Sequence, residues 1–435
     1  MALSTQPYKG ARDFYPEDKR LQKYIFGVMR KVVESYGYQE YDAPILEPTE
    51  LYTSKTSDEI VNEQTYTFID RGGRSVTIRP EMTPTVSRMV AARRQELAYP
   101  LRWYSIPNLW RYERPQRGRL REHWQLNIDL FGIPDIAADL EIIQVAYDVL
   151  RAFGAKREHF TIRLNSRKLV HAFIKDILKL DDVQSMTLMR LIDKMHKMDY
   201  AEFVGNADAI FNPSQRENHE PETLQHFLKT TDLAGLPDAI KSHPSVVELQ
   251  SLLSHLHAAG ITNAVFDPSL MRGFDYYTDI VFEVYDNHPE NNRSLFGGGR
   301  YDGLVGLFGV EPVPTVGFGV GDVGLQNFLE SHELIPTLKP ETDLYAVLVG
   351  ETHQPAQKVL RELREMGLNV AVGGPGQKLD KQIKAAVKQG VRYALFIGQK
   401  ELENEQFVLK DLQTGTEEAH GLQRVVSIVK DFRKE

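Results

Sequence analysis

The chain has 435 residues, a net charge of −8 and no cysteine. That length accommodates two or three domains, and the missing cysteines exclude disulfides, thiolate zinc sites and cysteine nucleophiles together. The acidic balance argues against nucleic-acid binding over the whole surface, although a local basic patch is compatible with it, because screening confines such charge to about 10 Å. No run of about 18 apolar residues is present, so no membrane span is expected. The opening MALSTQPYKGARDFYPEDKR has no apolar stretch of the secretory kind, and a cytoplasmic protein is expected.

After Tyr8-Lys9-Gly10-Ala11-Arg12-Asp13, the residues Leu21, Tyr24, Ile25, Val28, Val32 and Tyr36 recur at helical spacing, and Gly37 stops the helix. YQEYDAPILEP then predicts a strand that ends in Pro44 and Pro48. In VTIRPEMTPTVSRMV a short strand ends at Arg79-Pro80-Glu81, and a helix begins with Thr83 as N-cap and Pro84 in its first turn. Glu81 stands where a carboxylate would meet an ammonium ligand. The residues alone read it equally well as an exposed turn carboxylate.

The most informative stretch is RWYSIPNLWRYERPQRGRLREHWQLNIDLFG, residues 102–132. Its second half alternates: Trp124, Leu126, Ile128 and Leu130 are apolar, while Gln125, Asn127 and Asp129 are polar. That is a strand with one apolar face and one face bearing amides and a carboxylate. Residues 103–112 predict a second strand, and the proline-broken loop between them carries Arg114, Arg117 and Arg119, flanked by Glu113. With Arg111 and Arg121 added, five arginines cluster at the mouth of a hairpin. Guanidiniums so close repel one another unless anions visit them, and Arg suits bidentate contact with phosphate or carboxylate.

Residues 133–158 predict a scaffold helix with Ile136, Leu140, Ile143, Ala146, Tyr147 and Leu150 on one side. Residues 166–260 then change character: they are helical, rich in Leu, Met, Lys and His, and without strand signals, which marks an insertion. His255 and His257 point to different sides of a helix, and His123 and His196 have no ligand spacing either, so no metal site from Cys or His is expected.

Strand signals resume at Ala264. In AVFDPSLMRGFDYYTDIVFEV the loop Arg272-Gly273-Phe274-Asp275-Tyr276-Tyr277 precedes an alternating strand, and two tyrosines beside an aspartate suit a planar ring with polar edges. FGGGRYDGLV packs three glycines before Arg300. It is not a phosphate-binding P-loop, and its glycines read as a close backbone approach to a ligand or a tight strand turn. PTVGFGVGDVGLQNFLE predicts a glycine-bearing strand running into a helix. After a linker at residues 336–340, strand and helix patterns alternate to the C-terminus, with a hairpin near Gly415, which implies a small, mostly parallel sheet covered by helices. Lys378, Lys381, Lys384 and Lys388 fall on one face of one of these helices.

These motifs resemble those of class II aminoacyl-tRNA synthetases, in the form carried by the histidyl-tRNA synthetase family. The helix and proline-ended strand near the N-terminus are similar to the first motif, which builds a dimer interface. ERPQRGRLREHWQ matches the second motif, RPEMT the segment for the amino group of histidine, and RGFDYYT the histidine-specific loop. The resemblance implies an α/β (α+β) fold: an antiparallel-sheet catalytic core over residues 1–335 with the helical insertion 166–260, and an α/β anticodon-binding domain over 341–435. It implies a homodimer and three substrates, L-histidine, ATP and tRNA(His), with Mg2+ carried mainly by the ATP.

By the same resemblance, Arg111, Gln125 and Arg272 are catalytic, Arg272 bridging the histidine carboxylate and the ATP α-phosphate. Glu81, Met82, Thr83, Gln125, Asp129, Arg272, Tyr276 and Tyr277 hold histidine; Arg111, Glu113, Arg119 and Arg121 hold ATP. Arg114, Arg117, Lys378, Lys381, Lys384 and Lys388 face tRNA. Two departures stand out. Asp322-Val323-Gly324 carries no arginine where the family places one against the ATP γ-phosphate, leaving Arg119, Arg121 or a metal ion on Asp322 to compensate. Asp129 replaces the glutamate usual in bacterial members. Three rival readings remain: a catalytically silent regulatory subunit paired with ATP phosphoribosyltransferase, a class II synthetase for another amino acid such as Thr, Pro or Gly, and a pure RNA-binding module.

Overall fold

A computed structural model describes residues 3–53, 64–195, 198–271, 276–291 and 294–434. His196 and the loop residues Arg272, Gly273, Phe274 and Asp275 lie outside the described residues. The chain divides into two compact units, residues 1–14 with 22–335 and residues 15–21 with 336–435.

Helix α1 (Pro16–Ser35), which belongs to the larger unit from residue 22 onward, buries Gln22, Ile25, Met29 and Val33 and ends before Gly37, which sits at φ +82°. The buried stripe is therefore shifted from the expected one: of the six residues chosen from the sequence only Ile25 is fully buried, and Val28 and Val32 flank the stripe. The apolar arc of this helix is wider than its contact line. The stretch expected as one strand forms two short ones in different sheets, β1 (Gln39–Glu40) and β2 (Leu46–Pro48). A turn of helix, α2 (Glu50–Thr53), follows, then β3 (Tyr66–Ile69) and β4 (Ser75–Ile78), which complete a three-stranded sheet in the order β2-β4-β3.

Helix α3 (Thr83–Ala92) starts one residue earlier than the sequence suggested. Met82 is its N-cap and Thr83 its first helical residue, with Pro84 next, so the Thr83 side chain makes no cap bond. The segment 103–112 is likewise split, into β5 (Leu101–Ser105) and β6 (Asn108–Trp110), because Pro107 lacks the N–H that a continuous ladder would need. Strand β7 (Glu122–Phe131) pairs with both. Helix α4 (Ile136–Ala152) is capped by the Asp135 side chain, which accepts from Ala137 N. It leads to β8 (Phe160–Ser166), a strand the sequence reading passed over.

The insertion is helical throughout its described part: α5 (Arg167–Ala172), α6 (Asp182–Lys194), α7 (Tyr200–Asp208), α8 (Pro213–Glu217), α9 (Glu220–Leu228), α10 (Asp238–Lys241) and α11 (Pro244–Ala258). Strands then return as β9 (Ala264–Phe266), β10 (Ile280–Asp286), β11 (Ser294–Arg300) and β12 (Thr315–Gly321), followed by α12 (Asp322–Ser331). The main sheet runs β1-β5-β7-β12-β11-β10-β8-β9, with β6 also on β7. It is antiparallel except at its ends, where β1 joins β5 and β9 joins β8 in parallel.

The glycine run of β11 lies inside the sheet, not at a turn. A Cβ at Gly299 would lie 2.6 Å from the Ile280 carbonyl, and one at Gly298 would strike the β12 backbone. Arg300 is also structural: buried, it pairs with buried Asp139 and donates to the Asp135 carbonyl at 2.9 Å, tying β11 to the start of α4.

The smaller unit builds a five-stranded sheet in the order β14-β13-β15-β16-β17 from β13 (Leu344–Leu348), β14 (Val370–Val372), β15 (Tyr393–Ile397), β16 (Phe407–Asp411) and β17 (Glu417–His420). The first three are mutually parallel, and the β16–β17 hairpin is antiparallel. Helices α13 (Gln357–Glu365), α14 (Leu379–Lys388), α15 (Gln399–Asn404) and α16 (Leu422–Lys434) complete it. Leu360, Leu363, Leu395 and Val425 pack in one core cluster; Val347, Ala386 and Ala394 pack in another.

Candidate active site

The site is built on the polar face of β7. In the antiparallel register with β12, Asp129 faces Gly317, Asn127 faces Gly319 and Gln125 faces Gly321. The glycines are what make the face usable. A Cβ at Gly319 would collide with the Gln125 amide, and one at Gly317 would lie 2.6 Å from the Tyr301 hydroxyl and 2.8 Å from Asp129 Oδ1. The sheet thus leaves open exactly the space that Gln125, Asp129 and Tyr301 fill. Both faces of β7 are covered, so Asn127 and Asp129 are buried along with the apolar residues between them.

Asp129 is the electrostatic centre. Tyr301 donates its hydroxyl to Oδ1 and Tyr41 donates to Oδ2 at 3.5 Å. Burial pushes the Asp129 carboxyl up to about 7, against the pull of these two hydrogen bonds. Around Tyr301 stand the two tyrosines of the loop: its ring centroid is 5.5 Å from that of Tyr276 and 6.2 Å from that of Tyr277, both at steep angles. Tyr276 donates to Glu81 Oε2 at 3.3 Å, and Glu81 is buried, not the exposed turn carboxylate of the alternative reading. Two carboxylates and three tyrosines drawn from four separate segments are therefore joined in one buried polar wall. Such a wall accepts hydrogen bonds at two points and stacks against a flat ring.

Beyond Gln125 the character turns cationic. Arg111 donates Nε to the Pro80 carbonyl at 2.9 Å, at the foot of α3. His123 is held neutral, its pKa pushed down to about 3 by burial first and then by the charges of Arg111 and Arg12. The five arginines of the hairpin do not act as one cluster. Arg121 is packed at the base, its guanidinium 3.9 Å from the Tyr112 ring and donating to the Tyr8 hydroxyl at 3.0 Å and to the Glu113 carbonyl at 3.1 Å. Arg114, Arg117 and Arg119 are exposed. Arg117 reaches Glu290 at 3.4 Å and Ser331 at 3.2 Å, and Arg119 lies 3.8 Å from the Glu113 carboxylate. Gly118, at φ +79°, turns the tip. Asp322 is not free for a metal ion: Oδ2 pairs with Arg12 at 2.7 Å and Oδ1 accepts from Trp124 N at 2.9 Å.

The structure thus brings Glu81, Asp129, Tyr276 and Tyr277 together, with Gln125 and Arg111 adjoining. Met82 and Thr83 sit at the start of α3 beside Glu81, Met82 buried and Thr83 partly exposed. Lys378, Lys381, Lys384 and Lys388 all lie exposed along α14 of the smaller unit. Two pocket residues escaped the sequence reading, Tyr41 and Tyr301. Tyr301 stands directly after the glycine run and Arg300, and an aromatic there was a usable signal. Tyr41 had none.

The protein-family model for histidyl-tRNA synthetase matches residues 10–321, and that for the anticodon binding domain matches residues 343–432. The chain belongs to the histidyl-tRNA synthetase family. It is 44% identical to the histidine--tRNA ligase of Leptospira biflexa over 94% of each chain. Its fold superposes on the histidyl-tRNA synthetase of Nostoc sp. PCC 7120 with a TM-score of 0.82, at 25% identity over 99% of this chain and 100% of that one. The apo Staphylococcus aureus histidyl-tRNA synthetase gives 0.73 at 26% identity, over 98% of this chain and all of that one. Within this family frame the tyrosine-walled carboxylate pocket lies where the sequence motifs converge. No helix among the described residues is long and apolar enough to cross a membrane, and none of their His, Asp and Glu side chains group as a metal site.

Proposed function

We infer that this chain is a histidine–tRNA ligase that activates L-histidine with ATP and transfers it to tRNA(His). The observation that carries this reading is the buried pair of Asp129 and Glu81, bridged by the Tyr301, Tyr276 and Tyr277 rings. Histidine offers an ammonium group and an imidazole N–H, and the two carboxylates supply one acceptor for each. Glu81 and Gln125, with Met82 and Thr83 at the helix start, take the amino group; Asp129 and Tyr277 take the ring. A site whose buried polar groups need the ligand's own polar groups rejects analogues that leave them unpaired, by roughly 10⁴–10⁵-fold in favourable cases.

The histidine carboxylate attacks the α-phosphorus of ATP, the bond to the pyrophosphate oxygen breaks, and histidyl-adenylate forms. A hydroxyl of the terminal tRNA ribose then attacks the acyl carbon and AMP leaves. Arg111 and Arg272 stabilise the charge that develops at the α-phosphate, a task for fixed cationic donors. Glu113, Arg119 and Arg121 line the approach of the nucleotide. Mg2+ would come with the triphosphate and offset its charge, and Glu113 is the loop carboxylate that would help to hold it.

The exposed Arg114 and Arg117 and the lysines of α14 are placed as phosphate contacts for tRNA, which positions the duplex without reading its sequence. Around the three-stranded sheet, Ile45, Leu46, Phe68 and Ile69 are exposed, a surface suited to the partner of a homodimer. A cytoplasmic location fits this chemistry. The regulatory-subunit reading is set aside, because the family match continues through an anticodon-binding domain. The test is aminoacylation of a tRNA(His) transcript with labelled histidine. Charging is expected; bound histidine without charging would return the regulatory reading.

A further inference from the structure

Helix α12, with the sequence DVGLQNFLES, contains no cationic residue, yet a cation reaches its first turn from the other end of the chain. Residues 8–14 run along the start of β7. The Gly10 carbonyl accepts from Arg121 N at 2.9 Å and Glu122 N at 3.1 Å, and the Phe14 ring meets Trp124 edge-on at 5.2 Å. Gly10 is at φ +87°, and a Cβ there would lie 2.7 Å from Arg121 Cγ, so the close seating of this segment depends on glycine. The seating delivers Arg12 Nη2 to Asp322 Oδ2 at 2.7 Å, with its guanidinium 4.8 Å from the Phe14 ring.

Asp322 does not satisfy Arg12. The buried Nε has no acceptor among the described residues, while the side chain keeps 21% of its surface exposed. Arg111, the other guanidinium acting on His123, spends its Nε on a neutral carbonyl. Among the described residues, Asp322 is the carboxylate paired with Arg12, and Arg111 has no carboxylate within 4 Å. Positive charge is therefore left over beside the N-terminal end of α12, where the helix itself favours an anion.

We propose that Arg12 binds the polyphosphate tail of ATP, supplying from the N-terminal segment the arginine that α12 lacks. Asp322 holds the guanidinium in place and does not ligate a metal ion. The proposal rests on the ATP-dependent reading of the site, and the experiment keeps the two apart. Arg12→Gln alone would strand the buried Asp322, so the variant is Arg12→Gln with Asp322→Asn in the full chain. Histidine-dependent ATP–pyrophosphate exchange should show KM for Mg-ATP raised about ten- to a hundredfold, the range for losing one charge-assisted hydrogen bond, with KM for histidine unchanged. Adding Gly324→Arg, a position whose Cβ would meet only the Leu295 carbonyl at 3.7 Å, should recover most of the ATP affinity. An unchanged KM for ATP, a parallel rise in both KM values, or no recovery with Gly324→Arg would each overturn the proposal in favour of a structural ion pair. If the parent shows no exchange at all, the functional reading fails by itself; calorimetric titration with Mg-ATP then decides, equal affinity in parent and variant overturning the role of Arg12.

Discussion

Tyr301 donates its hydroxyl to Asp129 Oδ1 inside the main sheet, in space that Gly317 leaves clear. The bond stabilises the ionised carboxylate where burial opposes it, and it fixes the direction of the free lone pairs. Tyr301→Phe should therefore raise KM for histidine by roughly tenfold, the cost of one hydrogen bond at a buried acceptor, with KM for ATP little changed. Steady-state exchange kinetics check this, and an unchanged histidine KM would remove Tyr301 from the pocket.

The same carboxylate gives two pH dependences. Burial pushes Asp129 up to about 7, so the form that accepts an imidazole N–H is lost as pH falls through that value. Apparent KM for histidine should rise between about pH 8 and pH 6, more steeply than the ligand's own titration near pH 6.5 explains. Asp129→Asn should keep only the ligand's step, at a weaker affinity throughout.

Stability runs in the opposite sense. The folded pKa is raised above the unfolded value of about 3.9, so the contribution is favourable below that value and is lost as pH rises toward 7. Asp129→Asn should then raise Tm at pH 8 and change it much less at pH 4. Thermal melts at the two pH values test the sign, and a lower Tm at pH 8 contradicts it.

The two glycines of β12 should differ. A Cβ at Gly319 meets the far end of the flexible Gln125 side chain, whereas one at Gly317 lies 2.5 Å from the Ile128 carbonyl, a backbone atom. Gly319→Ala should fold with near-parent Tm and lose exchange activity by about tenfold or more through displaced Gln125, whereas Gly317→Ala should lose stability as well. Equal Tm losses in the two variants would show that Gln125 cannot move aside.

Arg300, next to Tyr301 in the chain, forms a buried pair with Asp139 on the start of α4. Arg300→Met should cost about 3–5 kcal/mol in denaturant unfolding, because it strands a buried carboxylate, and Arg300→Met with Asp139→Leu should recover much of that. Histidine and ATP KM values should hold in the protein that remains folded. A selective KM change would assign Arg300 to the site.

What could be read in the sequence followed from period and local chemistry. The alternation of Gln125, Asn127 and Asp129 declared a strand face, Tyr276 and Tyr277 suggested a place for a planar ring, and the resemblance of RPEMT to the family's segment singled out Glu81. What could not be read was set by contacts distant in sequence. Tyr41 and Tyr301 meet Asp129 from 88 and 172 positions away, and Arg12 reaches Asp322 across 310. The glycines of β11 looked like a turn or a close approach to a ligand, because these and a crowded sheet all forbid a Cβ. Val28 and Val32 were expected on the buried face in place of Met29 and Val33; all four are apolar, and only the packing partner separates them. Pro107 was visible, but its division of one strand into β5 and β6 depended on which ladder its missing N–H would have joined.

The central claim is that a carboxylate-and-tyrosine pocket selects histidine for activation by ATP. Amino-acid-dependent ATP–pyrophosphate exchange, run across all twenty amino acids with the full chain, tests it most directly. Exchange with histidine and background with the rest is the expected result. Comparable exchange with threonine, proline or glycine, or none with histidine, would contradict the account.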